Sequence, residues 1–168
     1  MKPARRICVM GVSGAGKTVV GSLLADALAV GFLEGDALHP PENVQRMAQG
    51  IPLTDDDRRP WLAAIAARIA DARRTKAGLV VACSALKRLY RDVLRGADGE
   101  LIFVHLTGNA ALIRRRLAQR VGHYMPATML DSQLATLEIP GTDEHALTCD
   151  VADAPEAIVT RIVRRLDP

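Results

Sequence analysis

Gly11-Val12-Ser13-Gly14-Ala15-Gly16-Lys17-Thr18 is the stretch of sequence that decides the fold. It matches the pattern G-x-x-x-x-G-K-[ST] at every fixed position, and it follows an apolar run at residues 7–10 and precedes a segment of helical periodicity. In this pattern the glycines let successive backbone N–H groups converge on a phosphate, and the helix N-terminus adds partial positive charge. The stretch therefore predicts a phosphate-binding loop between a buried strand and a helix.

The residues of this phosphate loop form the candidate nucleotide-binding site. We expect Lys17 to bridge the β- and γ-phosphates of ATP and the Thr18 hydroxyl to bind Mg²⁺. The alternative is a glycine-rich turn with a capping threonine, but such a turn does not require a lysine beside the threonine. The other expected phosphate contacts come from Gly11, Ser13, Gly14, Ala15 and Gly16.

Outside the loop, short apolar runs alternate with segments of helical periodicity. Strands are predicted at residues 7–10, 32–34, 79–83, 101–106 and 146–149. Helices are predicted at residues 17–30, 40–49, 58–75, 86–95, 109–119, 127–137 and 155–166. Strands separated by helices imply a parallel sheet that is covered by helices on both faces. Because 168 residues suit one such unit, we expect a single α/β domain over residues 1–168.

Charge and composition narrow the class of partner. The chain has 22 Lys and Arg residues, 18 of them Arg, against 19 Asp and Glu residues. Arginine binds phosphate and carboxylate groups through paired N–H donors, so this balance favours a small anionic substrate. Aromatic residues make up 3% of the chain, which leaves few surfaces for bases to stack on, and we expect no nucleic-acid binding.

Cysteine use and apolar runs predict the compartment. The three cysteines, Cys8, Cys83 and Cys149, are scattered and odd in number, which indicates neither a disulfide framework nor a metal site. The apolar run behind the basic N-terminus breaks at Gly11, too early for a signal peptide. No run of the sequence reaches the roughly 20 apolar residues that a membrane span needs. We therefore expect a cytoplasmic protein without membrane association.

The absence of certain motifs from the sequence excludes some classes of nucleotide-hydrolysing protein. Switch GTPases use D-x-x-G to sense the γ-phosphate and N-K-x-D to recognise guanine, and neither occurs in a sequence whose only asparagines are Asn43 and Asn109. Motor and transporter ATPases usually end a strand in an acidic residue, whereas the third predicted strand is followed by Ser84. The sequence therefore favours a small-molecule kinase over these classes.

Two carboxylates, Glu34 and Asp36, lie at the end of the second predicted strand, in Phe32-Leu33-Glu34-Gly35-Asp36. Ligands bind at the carboxyl edge of parallel sheets, so both are expected to face the phosphate loop. We expect Asp36 to accept the proton of the acceptor hydroxyl and to aim that hydroxyl at the γ-phosphate, and the alternative is a loop or capping acid. Cations in a first helical turn oppose the helix dipole, so one of Arg58 and Arg59 is expected to bind an anionic substrate while the other faces solvent.

Further basic residues are predicted near the same edge. Lys87 and Arg91 follow the third strand, and we expect both to point inward; the alternative is a solvated basic face. Arg116 and Arg120 lead into a predicted mobile lid at about residues 120–127. Arginines there would stabilise the oxygens of the transferring phosphoryl group, Arg120 as a catalytic residue and Arg116 as a nucleotide contact, unless they belong to a basic helix face.

Several motifs together resemble the gluconate kinases, a family of small phosphate-loop kinases. The likeness covers nearly the whole chain, and its most particular strings are Gly-Asp-x-Leu-His-Pro and Asp-Asp-Asp-Arg-x-Pro-Trp-Leu. Because phosphate loops recur in many families, the substrate expectation depends on these two strings. The matching stretches are residues 10–14, 35–40, 52–62, 83–87, 90–91, 122–123 and 136–138.

The resemblance implies a five-stranded parallel sheet of order 2-3-1-4-5, as in the shikimate and nucleoside-monophosphate kinases, and commonly a homodimer. It implies that ATP with Mg²⁺ phosphorylates D-gluconate to 6-phospho-D-gluconate. The lid departs from the family pattern at Tyr124-Met125, where a phenylalanine-rich sequence is expected. Shikimate-type and nucleotide-type kinases, and a non-catalytic nucleotide-binding regulator, stay open as alternatives. By motif, the implied gluconate contacts are Asp36, His39, Arg58, Lys87 and Arg91.

Overall fold

A computed structural model describes residues 3–120 and 128–167. Its strands are β1 (Arg6–Met10), β2 (Gly31–Glu34), β3 (Leu79–Ala82), β4 (Ile102–Thr107) and β5 (Leu147–Asp150). Its α-helices are α1 (Lys17–Leu28), α2 (Pro41–Ala48), α3 (Asp55–Arg74), α4 (Arg88–Ala97), α5 (Ala110–Ala118), α6 (Met129–Thr136) and α7 (Pro155–Leu166). Single 3₁₀ turns lie at Gly35–Leu38 and Thr142–Glu144.

The five strands form one sheet in the order β2-β3-β1-β4-β5. Every strand pairs in parallel with its neighbours, and β1 lies at the centre between β3 and β4. The predicted α/β fold and the implied strand order are therefore confirmed. From β1 the chain builds one side of the sheet through β2 and β3, and then the other side through β4 and β5. The loop after β1 consequently lies where the winding reverses, the usual ligand-binding place of such sheets.

The central strand shows how the sheet divides the core. All five residues of β1 are buried, and successive side chains of a strand point to opposite faces. Ile7 and Val9 belong to an apolar cluster that includes residues of α1, α5 and α7. Cys8 and Met10 belong to a second cluster that includes residues of α3 and α4. Both faces are covered, which explains why the strands read as continuous apolar runs.

Helix α3 begins at Asp55, three residues before the predicted start at residue 58. The Thr54 hydroxyl accepts a hydrogen bond from the Asp57 backbone N–H at 3.1 Å, and the Asp57 carboxylate accepts one from the Thr54 N–H at 2.9 Å. This reciprocal capping box satisfies N–H groups at the helix start that have no partner within the helix. The acidic run therefore forms the first turn of α3, and Arg58 follows it.

No helix in the described ranges is long and apolar enough to cross a bilayer. The three cysteines are free and buried. Burial raises the pKa of the Cys149 thiol, which keeps this sulfur protonated and unreactive.

Candidate active site

A cleft of about 630 Å³ opens at the carboxyl edge of the sheet. The phosphate loop forms one side of it, and the ends of β2 and β3 together with α2, α3 and α6 supply the rest. The cleft therefore unites the predicted nucleotide loop with three of the predicted acceptor residues, Asp36, His39 and Arg58. Its polar lining residues are Ser13, Lys17, Thr18, Glu34, Asp36, His39, Arg58, Ser84, Arg120, Ser132 and Gln133.

Two glycines shape the phosphate loop. A side chain at Gly11 would lie 2.7 Å from the carbonyl oxygen of Leu106, so only glycine fits where β1 leads into the loop. Gly16 has a left-handed φ of 93° and immediately precedes α1. The first N–H groups of a helix have no partner within it, and here they belong to Lys17 and Thr18, which line the cleft. The loop thus offers backbone donors and a helix N-terminus to an anion.

The predicted phosphate contacts divide into two groups. Gly11 and Ala15 are buried and do not line the cleft, because Gly11 packs on β4 and the Ala15 N–H donates to the carbonyl of Val12 at 3.2 Å. The structure therefore places these two residues beneath the loop as its support. The loop residues that do line the cleft are Ser13, Gly14, Gly16, Lys17 and Thr18.

The Lys17 side chain folds over the phosphate loop. Its Nζ donates a hydrogen bond to the carbonyl oxygen of Val12 at 2.9 Å. Burial lowers the pKa of Lys17, and the nearby carboxylates of Asp36 and Glu34 oppose that shift. A cation held between the loop and two carboxylates stands where a phosphate group would enter.

Glu34 lines the cleft, as expected of a carboxylate that faces the phosphate loop, and the structure adds two contacts to it. Its carboxylate accepts a short hydrogen bond from the Thr18 hydroxyl, and its other oxygen accepts one from the Asp36 N–H at 3.3 Å. Mg²⁺ prefers oxygen ligands and keeps several waters, so a hydroxyl beside a carboxylate fits its chemistry. The signal for Glu34 was its place at the end of β2, two residues before Asp36.

A tight 3₁₀ turn positions Asp36. A side chain at Gly35 would lie 2.4 Å from the Ala82 carbonyl oxygen, so the turn packs directly against the end of β3. The Trp61 indole N–H donates to the Gly35 carbonyl at 2.8 Å, which fixes the turn from the α3 side. His39, just after the turn, stacks on Trp61 with ring centroids 4.1 Å apart. Trp61 is buried, and its N–H also supports the site.

Arg58 lines the cleft and is held from behind by Tyr90. Its Nη1 donates to the Tyr90 hydroxyl at 2.6 Å, and its guanidinium carbon lies 5.3 Å from the centre of the Tyr90 ring. The Tyr90 hydroxyl in turn donates to the Asp55 carboxylate. Burial and this carboxylate raise the pKa of Tyr90 to about 12, so the phenol stays protonated. Arg59, its neighbour, faces solvent and pairs with Asp56.

The structure separates the other two predicted acceptor residues from the cleft. Lys87 does not line the cleft, and its Nζ pairs with Asp55 at 2.9 Å. Arg91 is fully buried and forms two hydrogen bonds to the Glu144 carboxylate, at 2.7 and 3.1 Å. Its Nη1 donates to the carbonyls of Ala85 and Leu86. Arg91 points inward, as predicted. Its N–H donors bind Glu144 and backbone carbonyl groups, so it stabilises the fold and does not belong to the acceptor site, where it was expected.

The two predicted lid arginines differ in position. Arg120 lines the cleft, whereas Arg116 is half-buried on α5 and does not. The predicted lid at about residues 120–127 falls outside the described residues except for Arg120.

Gln133 is a cleft residue that sequence reasoning missed. It lies on α6, and its side-chain oxygen accepts a hydrogen bond from the Ser13 N–H at 2.6 Å. The contact joins residues 120 positions apart, and no local pattern signals it.

A phosphate loop that faces carboxylates and an arginine across one cleft of a five-stranded parallel sheet defines a small-molecule phosphate-loop kinase. The sequence profile of the shikimate kinase family matches residues 13–167. The gluconokinase of Gluconobacter oxydans (strain 621H) is 48% identical over 164 residues, which is 98% of this chain and 92% of that protein. The thermoresistant gluconokinase of Escherichia coli (strain K12) is 45% identical, over 92% of this chain and 89% of that protein.

Solved structures agree with these relatives. The crystal structure of a gluconokinase from Sinorhizobium meliloti 1021 matches with a TM-score of 0.85 and 46% identity, covering 99% of this chain and 97% of that one. A sugar kinase from Janibacter sp. HTCC2649 matches with a TM-score of 0.93 and 45% identity, covering 98% and 95%. The chain belongs to the gluconokinase family, and the resemblance found in the sequence is confirmed.

Proposed function

We propose that this chain transfers the γ-phosphate of ATP to D-gluconate, yielding 6-phospho-D-gluconate and ADP. The observation that carries the proposal is the shared cleft, where Lys17 and Thr18 of the phosphate loop face Asp36 and Arg58 of the acceptor side. Relatives named gluconokinase cover nearly all of the chain and supply the identity of the acceptor.

On the donor side, the backbone N–H groups at the start of α1 and the Lys17 ammonium bind the β- and γ-phosphates of ATP. The Thr18 hydroxyl and Glu34 would hold Mg²⁺, which would supply positive charge to neutralise the phosphates. Arg120, at the edge of the cleft, stabilises the oxygens of the transferring group. Arg116, four residues before Arg120, does not line the cleft and stays a predicted nucleotide contact.

On the acceptor side, Asp36 receives the proton of the gluconate C6 hydroxyl. The hydroxyl oxygen bonds to the γ-phosphorus while the bond from that phosphorus to the bridging oxygen of ADP breaks. The proton then leaves Asp36 for solvent when product departs. Because phosphoryl transfer depends mainly on positioning and charge neutralisation, aiming the hydroxyl is the larger part of this role.

Arg58 binds the carboxylate of gluconate at the far end of the cleft. Tyr90 and Asp55 hold its guanidinium from behind, and Arg58 lines the cavity. Lys87 shares Asp55 with Tyr90 and therefore positions Arg58 indirectly. His39 contributes a further acceptor contact beside Asp36.

An assay of ADP release over a panel of acceptors tests this function. Gluconate is expected to stimulate release strongly, and shikimate, other sugar acids and nucleoside monophosphates weakly. Strong stimulation by shikimate or a nucleotide instead would keep the kinase reaction and overturn the acceptor. Tight ATP binding without release on any acceptor would favour a nucleotide-binding regulator.

We further propose that the protein works in the cytoplasm as a homodimer. The buried free cysteines suit a reducing compartment, and the dimer is an expectation from the family resemblance. Light scattering after size-exclusion chromatography tests it: twice the monomer mass of 18.1 kDa is expected, and the monomer mass would contradict it.

A further inference from the structure

Two sides of the His39 imidazole are fixed by neighbours. One face stacks on Trp61 at an interplanar angle of 15°. Its Nδ1 lies 3.3 Å from Nδ2 of Asn43, a residue of α2 that is 5% exposed. The edge that carries Nε2 is left for the cleft, which His39 lines.

The orientation of the Asn43 amide follows from its second partner. Nδ2 lies 2.8 Å from the backbone carbonyl oxygen of Asp57. A carbonyl oxygen only accepts hydrogen bonds, so the atom facing it must be the amide nitrogen. A flipped amide would bring two acceptor oxygens together in a buried place, which is costly. The other N–H of the same nitrogen therefore faces Nδ1 of His39.

An N–H facing Nδ1 requires a lone pair on Nδ1, and in a neutral imidazole the proton then lies on Nε2. We propose that Asn43 is a positioning residue that fixes His39 in the Nε2–H tautomer, so that the ring is a hydrogen-bond donor to an oxygen of the polyhydroxy acid and not a base. The proposal deepens the proposed function, because the oxygen it serves belongs to the acceptor next to Asp36.

The charges around the ring agree with this assignment. Burial lowers the pKa of His39 to about 4, and Arg58 from α3 acts in the same direction, while Asp36 from the 3₁₀ turn opposes it. The ring is therefore neutral at physiological pH. Its only lone pair is engaged by Asn43, which leaves Asp36 as the group beside it that accepts the hydroxyl proton.

The tautomer is measured directly by NMR of protein labelled with ¹⁵N in the histidine rings. The chain has four histidines, and the signals that vanish in His39→Gln belong to His39. We expect a protonated Nε2 and an unprotonated Nδ1 from pH 5.5 to 8 in the free enzyme. A protonated Nδ1, or a mixture of tautomers, would overturn the proposal. No acceptor is present, so this outcome is independent of whether gluconate is the substrate.

Asn43→Asp tests the positioning role in turnover. The new carboxylate accepts a hydrogen bond from Nδ1–H, so it favours a proton on Nδ1. The ring then carries a second proton on Nε2 only while it is an imidazolium. Once the ring is neutral, Nε2 presents a lone pair to the cleft. We expect KM for gluconate to rise about tenfold between pH 6 and pH 8.5 in this variant, the worth of roughly one hydrogen bond. In the wild-type enzyme KM should stay level over that range, and KM for ATP should stay level in both.

The matched control is Asn109→Asp, the same change at the only other asparagine of the chain. Asn109 caps α5 by accepting from the Ala111 N–H, a role that aspartate fills equally well. Its KM for gluconate should match the wild type at every pH. A KM raised in Asn43→Asp by one constant factor across the pH range would mean that Asn43 only supports the fold, and would contradict the proposal. If Asn43→Asp does not fold, the tautomer of the wild-type enzyme decides the question.

Discussion

Replacing Arg58 with alanine is expected to weaken gluconate binding and to leave ATP binding nearly unchanged. The Arg58 guanidinium lines the acceptor side of the cleft, and within residues 3–120 and 128–167 one of its nitrogens is engaged, by the Tyr90 hydroxyl at 2.6 Å. The side chain is half-buried and braced by the Tyr90 ring, so little freedom is lost when a carboxylate binds. Substitution removes both the charge and the preformed donors.

The size of the effect follows from the kind of contact. A hydrogen bond to a charged group contributes about 1.5 to 3 kcal/mol, and we expect the contact between the half-buried Arg58 and the gluconate carboxylate to contribute an amount in that range. KM for gluconate should therefore rise about tenfold to a hundredfold. Some loss of kcat is also expected, because binding energy at the far end of the substrate helps to position the reacting hydroxyl.

Steady-state kinetics with each substrate varied in turn measure the two effects separately. The matched control is Arg59→Ala, because Arg59 is the neighbouring cation, its side chain is 81% exposed, and it pairs with the exposed Asp56. That variant should retain wild-type constants. If Arg58→Ala raised KM for ATP alone, or if Arg59→Ala gave the same defect, the assignment of Arg58 to the acceptor carboxylate would be refuted.

Three further substitutions test the rest of the account. Asp36→Asn should lower kcat by roughly a hundredfold or more, since the amide cannot accept the hydroxyl proton; an unchanged kcat would remove Asp36 from the reaction. Lys17→Ala should abolish turnover without changing the melting temperature or circular dichroism, and wild-type activity would contradict the phosphate-loop assignment. Glu144→Gln should destabilise the fold by about 3 kcal/mol in denaturant titration, because it weakens the buried pair with Arg91. Hydrogen bonds from Arg91 lower the pKa of Glu144 from 4.5 to about 2, so this stabilisation should be complete above pH 4.5 and should be lost toward pH 2; stability that does not change over that range would contradict it.

The fold was predictable because its signals are local. The phosphate loop, the apolar strands and the helical periodicity between them act over short stretches, and the number and order of the elements follow from them. Two of the helix boundaries that differ from the predicted ones have a local cause. The Thr54–Asp57 capping box starts α3 before the predicted residue, and a left-handed Ala29, with φ of 55°, ends α1 at Leu28.

The site was predictable only in part, because some of its contacts join distant parts of the chain. Asp36 was predicted from residue type and position at a strand end. The helix start left Arg58 and Arg59 as alternatives, and the family resemblance singled out Arg58. The direction of Arg91 was predicted, but its partner Glu144 lies 53 residues away, and only the folded chain shows that the pair fills a buried place. The Gln133 contact with Ser13 and the Tyr90 brace behind Arg58 are likewise products of packing, which composition and spacing do not encode.

The most direct test of the central claim is to identify the product by ³¹P NMR after incubation with ATP, Mg²⁺ and D-gluconate. The account predicts a single new phosphate ester whose phosphorus couples to the two C6 methylene protons, formed in step with ADP and roughly a hundredfold or more slowly with Asp36→Asn. Inorganic phosphate without an ester, or an ester at another oxygen of gluconate, would contradict it.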